Sequence, residues 1–449
     1  MTPAEHDYTG RTFGAADFRD RVFDTPAIFT DCVFTERPDF SGAVFKARVF
    51  FTRAVFERGV DFHETTFEKF ANFEDVAVTG DARFTGAVFE TGLLLEHAEI
   101  DGVLRLDRVQ FHETRLMGPL RAKEIDFRLV VFHRRARLEF VTGLVRCERA
   151  SFYGGVQFQL DGADIILKDS ELGPASRVAT YTAERERYGR PARRPRLVTV
   201  SGTDVATLSI SRADLSACKL MHAHNLDLLR VRTDDAFGLT PRRLRLARRE
   251  VIGDEVRWRA EHGGGRRARE RWRPPVDWPD VEAPQLAGEV VKTYRALRKG
   301  REDSGDGPGA ADFYYGEMEM RRLGSGRLSR EQWRNRSLRG WTAATGEYVL
   351  LSLYWLVSGY GLRAWRSFTA LAVVVALAAA GFMTWGFPAK VKMDYGDSFR
   401  FTLRAATSLL RGTEAQLTPT GEWIELVLRF LGPVLLGLGV LAVRGRVRR

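Results

Sequence analysis

The chain has 449 residues, 44% of them hydrophobic and 28% charged, which excludes a disordered protein and leaves room for two or three domains. Three cysteines, Cys32, Cys147 and Cys218, are too few and too scattered for a disulfide scaffold and fit a reducing compartment. The net charge of +11 is unevenly spread, since residues 1–100 hold 10 Lys/Arg against 18 Asp/Glu and the other 349 hold 59 against 40. That asymmetry predicts different roles for the two parts. The first thirty residues carry no positive-then-apolar signal pattern, so the N-terminal part is expected in the cytosol.

Large apolar residues recur along the first quarter of the chain. One series runs Phe18, Phe29, Phe40, Phe51, Phe62, Phe73, Phe84, Leu95, Leu106 at every eleventh residue. A second runs Phe23, Phe34, Phe45, Phe56, Phe67, Val78, Phe89, Ile100, Phe111, so the steps alternate between five and six. Neither a 3.6-residue helix nor a flat strand keeps that pattern on one face. A short fixed period sustained over about a hundred residues predicts a solenoid with two continuous inward columns. Small residues stand two before many ladder positions, as in Ala43–Phe45 and Ala54–Phe56. The stretch resembles the pentapeptide-repeat family, in its Phe-rich subtype, from about Tyr8 to Leu172. Ala213-Asp214-Leu215 followed by Leu220 carries the same resemblance further. It implies a right-handed parallel β-helix over 8–232. The spacing slips after Phe111, which predicts a bulged coil at Met117–Leu120, and the basic stretch 177–196 reads as an excursion loop. The histidines show no metal-ligand spacing, and no cofactor or metal site is expected.

At Thr240-Pro241 the period changes, predicting a helix that carries Leu244, Ala247, Val251 and Trp258 and stops at Gly263. Residues 242–273 hold twelve arginines against five acidic residues, a solvated face or a surface for anionic lipid headgroups. No groove-reading motif points to nucleic acid. After a proline-rich linker, 287–323 reads as a helical hairpin turning at Ser304–Gly309, within a basic helical region 233–340. "DFYYGEMEMRR" and "LYWLVSGYGLR" together resemble a group of actinobacterial membrane proteins that join pentapeptide repeats to a C-terminal membrane unit. Glu317 and Glu319 with Arg321 and Arg322 read as helix-stabilising ion pairs. Gly324-Ser325-Gly326 reads as a helix end.

The membrane unit is expected over 341–449. Between Arg366 and Lys390 lie 23 uncharged residues, long enough to span about 30 Å of hydrocarbon. Spans are expected at about 367–388 and 423–443, with an interfacial helix at 348–362. Glu425 and Arg429 are expected to pair, and Gly432, Gly437 and Gly439 to permit close helix approach. The flanking arginines place both termini in the cytoplasm of a two-span cell-membrane protein. Arg363, Arg366, Arg444 and Arg446 are candidate anionic-lipid contacts. A short helix at 397–410 presents Phe399, Leu403, Ala406 and Leu410 on one face. Two spans with such a helix between them resemble the pore module of two-span potassium channels. Thr407, Ser408, Leu409, Leu410, Arg411 and Gly412 then occupy the place of the selectivity filter, although its glycine-tyrosine-glycine is absent and Arg411 adds positive charge.

The fold class expected is therefore a β + α membrane protein: a parallel β-helix, a helical hairpin region and two transmembrane helices. The expected function is a membrane-anchored scaffold, with the lipid bilayer and a protein on the solenoid as partners. The alternative is an oligomeric channel-like or sensor protein gated by the cytosolic domain, which requires self-association. A third reading follows from the family resemblance, some of whose members are acidic DNA mimics that bind gyrase; the basic remainder of the chain opposes it. No P-loop, nucleophile elbow or H-E-x-x-H motif is present, so an enzyme is not expected.

Overall fold

The computed structural model describes residues 6–181, 193–233, 235–241, 248–388, 394–407 and 416–447. It divides into two compact units, 1–305 and 306–449. The first is a parallel β-solenoid of about ten turns.

The closing period of the solenoid is 22 residues, not 11. Val22 pairs with Val44, Val44 with Thr66 and Thr66 with Val88, each pair 22 apart in sequence. Two five-plus-six steps therefore close one coil, and residues eleven apart lie on opposite sides of it. The two series in the sequence become four columns. Phe18, Phe40, Phe62 and Phe84 stack at centroid spacings of 4.7, 4.8 and 4.9 Å. Phe29, Phe51 and Phe73 stack at 4.8 Å in the facing column. Between these columns the rings meet edge to face, as in Phe40–Phe51 at 5.5 Å and 85°. The stacking distance is the spacing of neighbouring β-strands, so backbone pairing sets the ring ladder. The edge-to-face contacts across the coil suit the ring quadrupoles.

Coil length changes along the solenoid. Gln110 pairs with Val131, 21 residues on, and Val131 with Ser151, 20 on. The register shifts between Met117 and Leu120, where the spacing predicts a bulge. Asp164 pairs with Arg196, 32 residues on, so the excursion adds twelve residues to a 20-residue coil. Its strands Arg177–Thr180 and Arg196–Thr199 belong to the sheets, and 182–192 lie outside the described residues.

A β-solenoid ends in unpaired backbone and an open core, so it needs a cap. Here the C-terminal end is covered by α1 (Gly253–His262) and α3 (Ala287–Asp303), with the short α2 (Arg266–Arg271) between them in sequence. Of the helix expected from Thr240, Leu244 and Ala247 lie outside the described residues, and the described helix starts at Gly253. Val251, expected on that helix, pairs as a strand with Gly238 in an antiparallel ribbon. The ribbon is a two-stranded sheet of its own, and its strand pairing outcompetes the local helical preference of Val251. The helix ends at Gly263, as the glycine run predicts.

The two arms expected of one hairpin belong to different units. α3 packs on the turn Leu226–Leu228 of the last coil. In the second unit, α4 (Gly307–Arg334) pairs along its length with α5 (Leu338–Ser358). Gly324-Ser325-Gly326 is no helix end, for α4 runs through it. Gly326 is buried against the Tyr348 ring, which occupies the space a Cβ would fill. The unit continues with α6 (Ala364–Gly381), which ends in a π turn at Phe382–Gly386, then α7 (Tyr395–Thr407) and α8 (Pro419–Val447).

Candidate functional site

Two stretches of the second unit, Ala364–Gly386 and Pro419–Val443, are long and apolar enough to cross a membrane. At 1.5 Å per residue, their 23 and 25 residues reach roughly 34 and 37 Å. Only 22% and 28% of their apolar windows are buried in the protein, unlike the core helices of a water-soluble fold.

α7 is wedged between them. Ala405 and Ala406 at its C-terminal end share a buried core with Val375 and Leu428. Val375 is the midpoint of the first stretch, and Gly432, near the middle of the second, lies so close to Ala406 that a Cβ would collide with its backbone. Phe401, earlier on α7, meets Phe382 and Phe387 at the far end of the first stretch, at 5.0 and 5.4 Å. The middle of the short helix thus lies beside the end of one long helix, and its last turn at mid-length of both.

Of the apolar residues expected on one face of α7, Ala406 is buried, and Leu410 lies outside the described residues. Ser398, Thr402, Ala405 and Ala406 are buried, whereas Phe399 and Leu403 are exposed. A wedge between two close helices admits only small side chains, and the Thr402 hydroxyl satisfies itself on the Ser398 carbonyl at 2.7 Å. Thr407 is the last residue of α7, and Ser408, Leu409, Leu410, Arg411 and Gly412 lie outside the described residues. Gly439 packs against the Phe368 ring, while Gly437 has open space. Glu425 and Arg429 pair at 2.6 Å.

A second cluster joins α4 to the start of α6. The two sequence motifs "DFYYGEMEMRR" and "LYWLVSGYGLR" meet here. The Trp355 indole donates to the Tyr315 hydroxyl at 2.9 Å, and the Tyr360 hydroxyl donates to Glu319 at 3.1 Å. Glu319 also pairs with Arg322, whose guanidinium lies 4.7 Å from the Trp355 ring centre. Burial, with Glu319 beside it, pushes the Tyr360 hydroxyl well above the ordinary tyrosine range. Arg366 donates to the Trp355 carbonyl at 3.0 Å, and Arg363 lies over Tyr315 at 5.3 Å. Arg366 also lies over the Trp355 ring at 5.1 Å, so both of these candidate lipid contacts rest on aromatic rings of the protein. Arg444 and Arg446 fall within α8, but their side chains lie outside the described residues.

The third cluster fills the solenoid cap, and nothing in the sequence periodicity marks it. The Asp254 carboxylate accepts the Leu220 and Met221 amides of the last coil at 2.9 and 3.2 Å. Burial pushes its carboxyl up to about 6. Burial acts the same way on neighbouring Glu255, but Arg249 and Arg259 overturn it and hold that carboxyl below its ordinary value. Tyr294 of α3 donates to Glu255 and closes the cluster. The Glu255–Arg259 spacing of four is the signal that reading by ion-pair distance would have found.

Together the fold defines a parallel β-solenoid protein with a C-terminal helical unit carrying two helices of membrane-crossing length. The model of the family described as pentapeptide repeats (9 copies) matches residues 51–99, within the most regular Phe-filled coils. No curated protein and no solved structure matches the chain.

Proposed function

We propose that the chain is a membrane-anchored scaffold, non-enzymatic, whose solenoid displays a rigid cytosolic surface for a protein partner. The observation that carries this reading is the union, in one chain, of a capped solenoid of about ten turns with two mostly exposed apolar helices of spanning length. The core columns are occupied by packing, and the outer side chains are free to vary between coils. Alkaline carbonate extraction tests the anchor. The full chain stays with the membrane pellet, and a chain ending before Ala364 does not. Release of the full chain would overturn the reading.

A second reading, an oligomeric channel-like or sensor protein, is favoured by one observation: α7 ends at mid-length of both long helices. A two-span subunit cannot enclose a pore alone, so this reading requires self-association. A monomer in mild detergent removes it. An oligomer that carries current in planar bilayers, with the current altered by Arg411→Ala, establishes it over the simple scaffold.

A further inference from the structure

The turn between α4 and α5 borders a cavity of about 630 Å³ that is open to the surface. Arg330, Arg334 and Arg336 line it, together with Trp333, Trp341 and Leu338. No carboxylate lines it, and among the described residues none of the three arginines has an ion-pair partner. Elsewhere in this unit Arg321 pairs with Glu347, Arg322 with Glu319 and Arg429 with Glu425. Three exposed like charges around one open cavity give it a positive potential that favours an anion, screened in part by water and salt. The planar guanidinium fork matches the oxygens of a phosphate group in a way a point charge does not.

The apolar part of the lining narrows the ligand further. The Trp333 and Trp341 rings lie 5.2 Å apart, and Trp333 and Leu338 are 64% and 70% exposed. An indole beside guanidinium groups suits the boundary between water and hydrocarbon. α5 starts at this cavity and carries an outward stripe of Leu338, Thr342, Gly346, Val349, Leu353 and Leu356, all exposed and none charged. Residues at those intervals share one helix face, as in a helix lying along a membrane surface. On the membrane reading above, a helix with such a stripe lies along the bilayer surface and the cavity at its start would be at headgroup height.

We propose that this cavity is a phosphate-ester site, filled by the headgroup of an anionic lipid. The lipid source rests on the membrane reading above, while the phosphate chemistry does not. The test is native mass spectrometry of the full chain in detergent micelles, titrated separately with phosphatidylglycerol, phosphatidylcholine and inorganic phosphate. Phosphatidylglycerol binds about tenfold more tightly than phosphatidylcholine, and the double variant Arg334→Gln/Arg336→Gln loses that preference. The corresponding Arg→Lys pair keeps part of it, which separates lost charge from lost folding, and circular dichroism of each variant checks that separation. Equal binding of the two lipids, or an unchanged preference in the Gln pair, overturns the site. Inorganic phosphate binding as tightly as phosphatidylglycerol overturns the lipid source. Carbonate extraction of the full chain, with the phosphatidylglycerol preference intact, would overturn the two-span reading and leave this site standing.

Discussion

Phe51 shows what one residue does in this solenoid. It is fully buried, stacks at 4.8 Å on Phe29 below and Phe73 above, and meets Phe40 and Phe62 edge on. Phe51→Ala leaves a ring-sized void that parallel backbone pairing prevents from collapsing, a cost of about 3–5 kcal/mol. The expected result is a lower thermal midpoint with faster amide exchange concentrated in the coils around Phe51; exchange spread evenly over the solenoid would contradict it. Asp254 responds to pH instead. Its carboxyl is raised from 3.8 to about 6, by burial first, although the Leu220 and Met221 amides, Arg257 and Lys219 oppose that rise. Between about pH 4 and 6 the folded protein holds a proton that the unfolded chain has released, so this group's contribution to stability falls as pH rises through that window. The span is on the order of 2–3 kcal/mol. Asp254→Asn removes that slope. Protection of the Leu220 and Met221 amides should then vary less between pH 4 and 6 than in the parent chain, and equal slopes would refute the assignment.

Elements differ in how openly the sequence declares them. The Phe ladder is legible because each coil repeats the same inward residue. The 22-residue closure is not, because both sides of a coil use the same five-plus-six step and spacing alone does not say how many steps close the ring. α1 escapes periodicity for another reason. It buries Asp254, Glu255 and Arg257 along with Trp258, so charge and apolarity no longer sort onto opposite faces. Tertiary partners that lie far away in sequence, Leu220 and Tyr294, supply what those charges need. The sequence puts Phe399, Leu403 and Ala406 on one face of α7 but does not say which of them is buried; the structure buries Ala406 alone, because a wedge between helices selects for small side chains. Gly432 is the partner half of that wedge. Gly432→Val drives a branched side chain into the Ala406 backbone and displaces α7. The full chain in detergent is expected to unfold several degrees lower, since about 1 kcal/mol moves a midpoint by roughly 2–4 °C at this size. Gly437→Val, which faces open space, is the control and should leave the midpoint nearly unchanged.

At the scale of the whole molecule, topology is the property on which every functional reading depends. If both long helices span, as proposed above, the chain returns to the side from which it started, and the solenoid and the C-terminal arginines share a compartment. On the proposed reading, the positive-inside rule applied to the flanking arginines, Arg334, Arg336, Arg339, Arg363 and Arg366 at the first span and Arg444, Arg446, Arg448 and Arg449 at the second, assigns that compartment to the cytosol. Cysteine labelling reads this directly, because the background is silent. Cys32, Cys147 and Cys218 are all buried, and burial pushes the Cys147 and Cys218 thiols well above the ordinary range, so neither presents a thiolate. Thr9→Cys adds an exposed thiol on the first coil, and Asp397→Cys adds one at the start of α7, where the native side chain is 64% exposed. In intact cells a membrane-impermeant maleimide is expected to label Asp397→Cys at once and Thr9→Cys only after permeabilisation. Labelling in the reverse order would put the solenoid outside and remove the cytosolic scaffold. Labelling of both thiols in intact cells would show that the chain does not cross the bilayer twice.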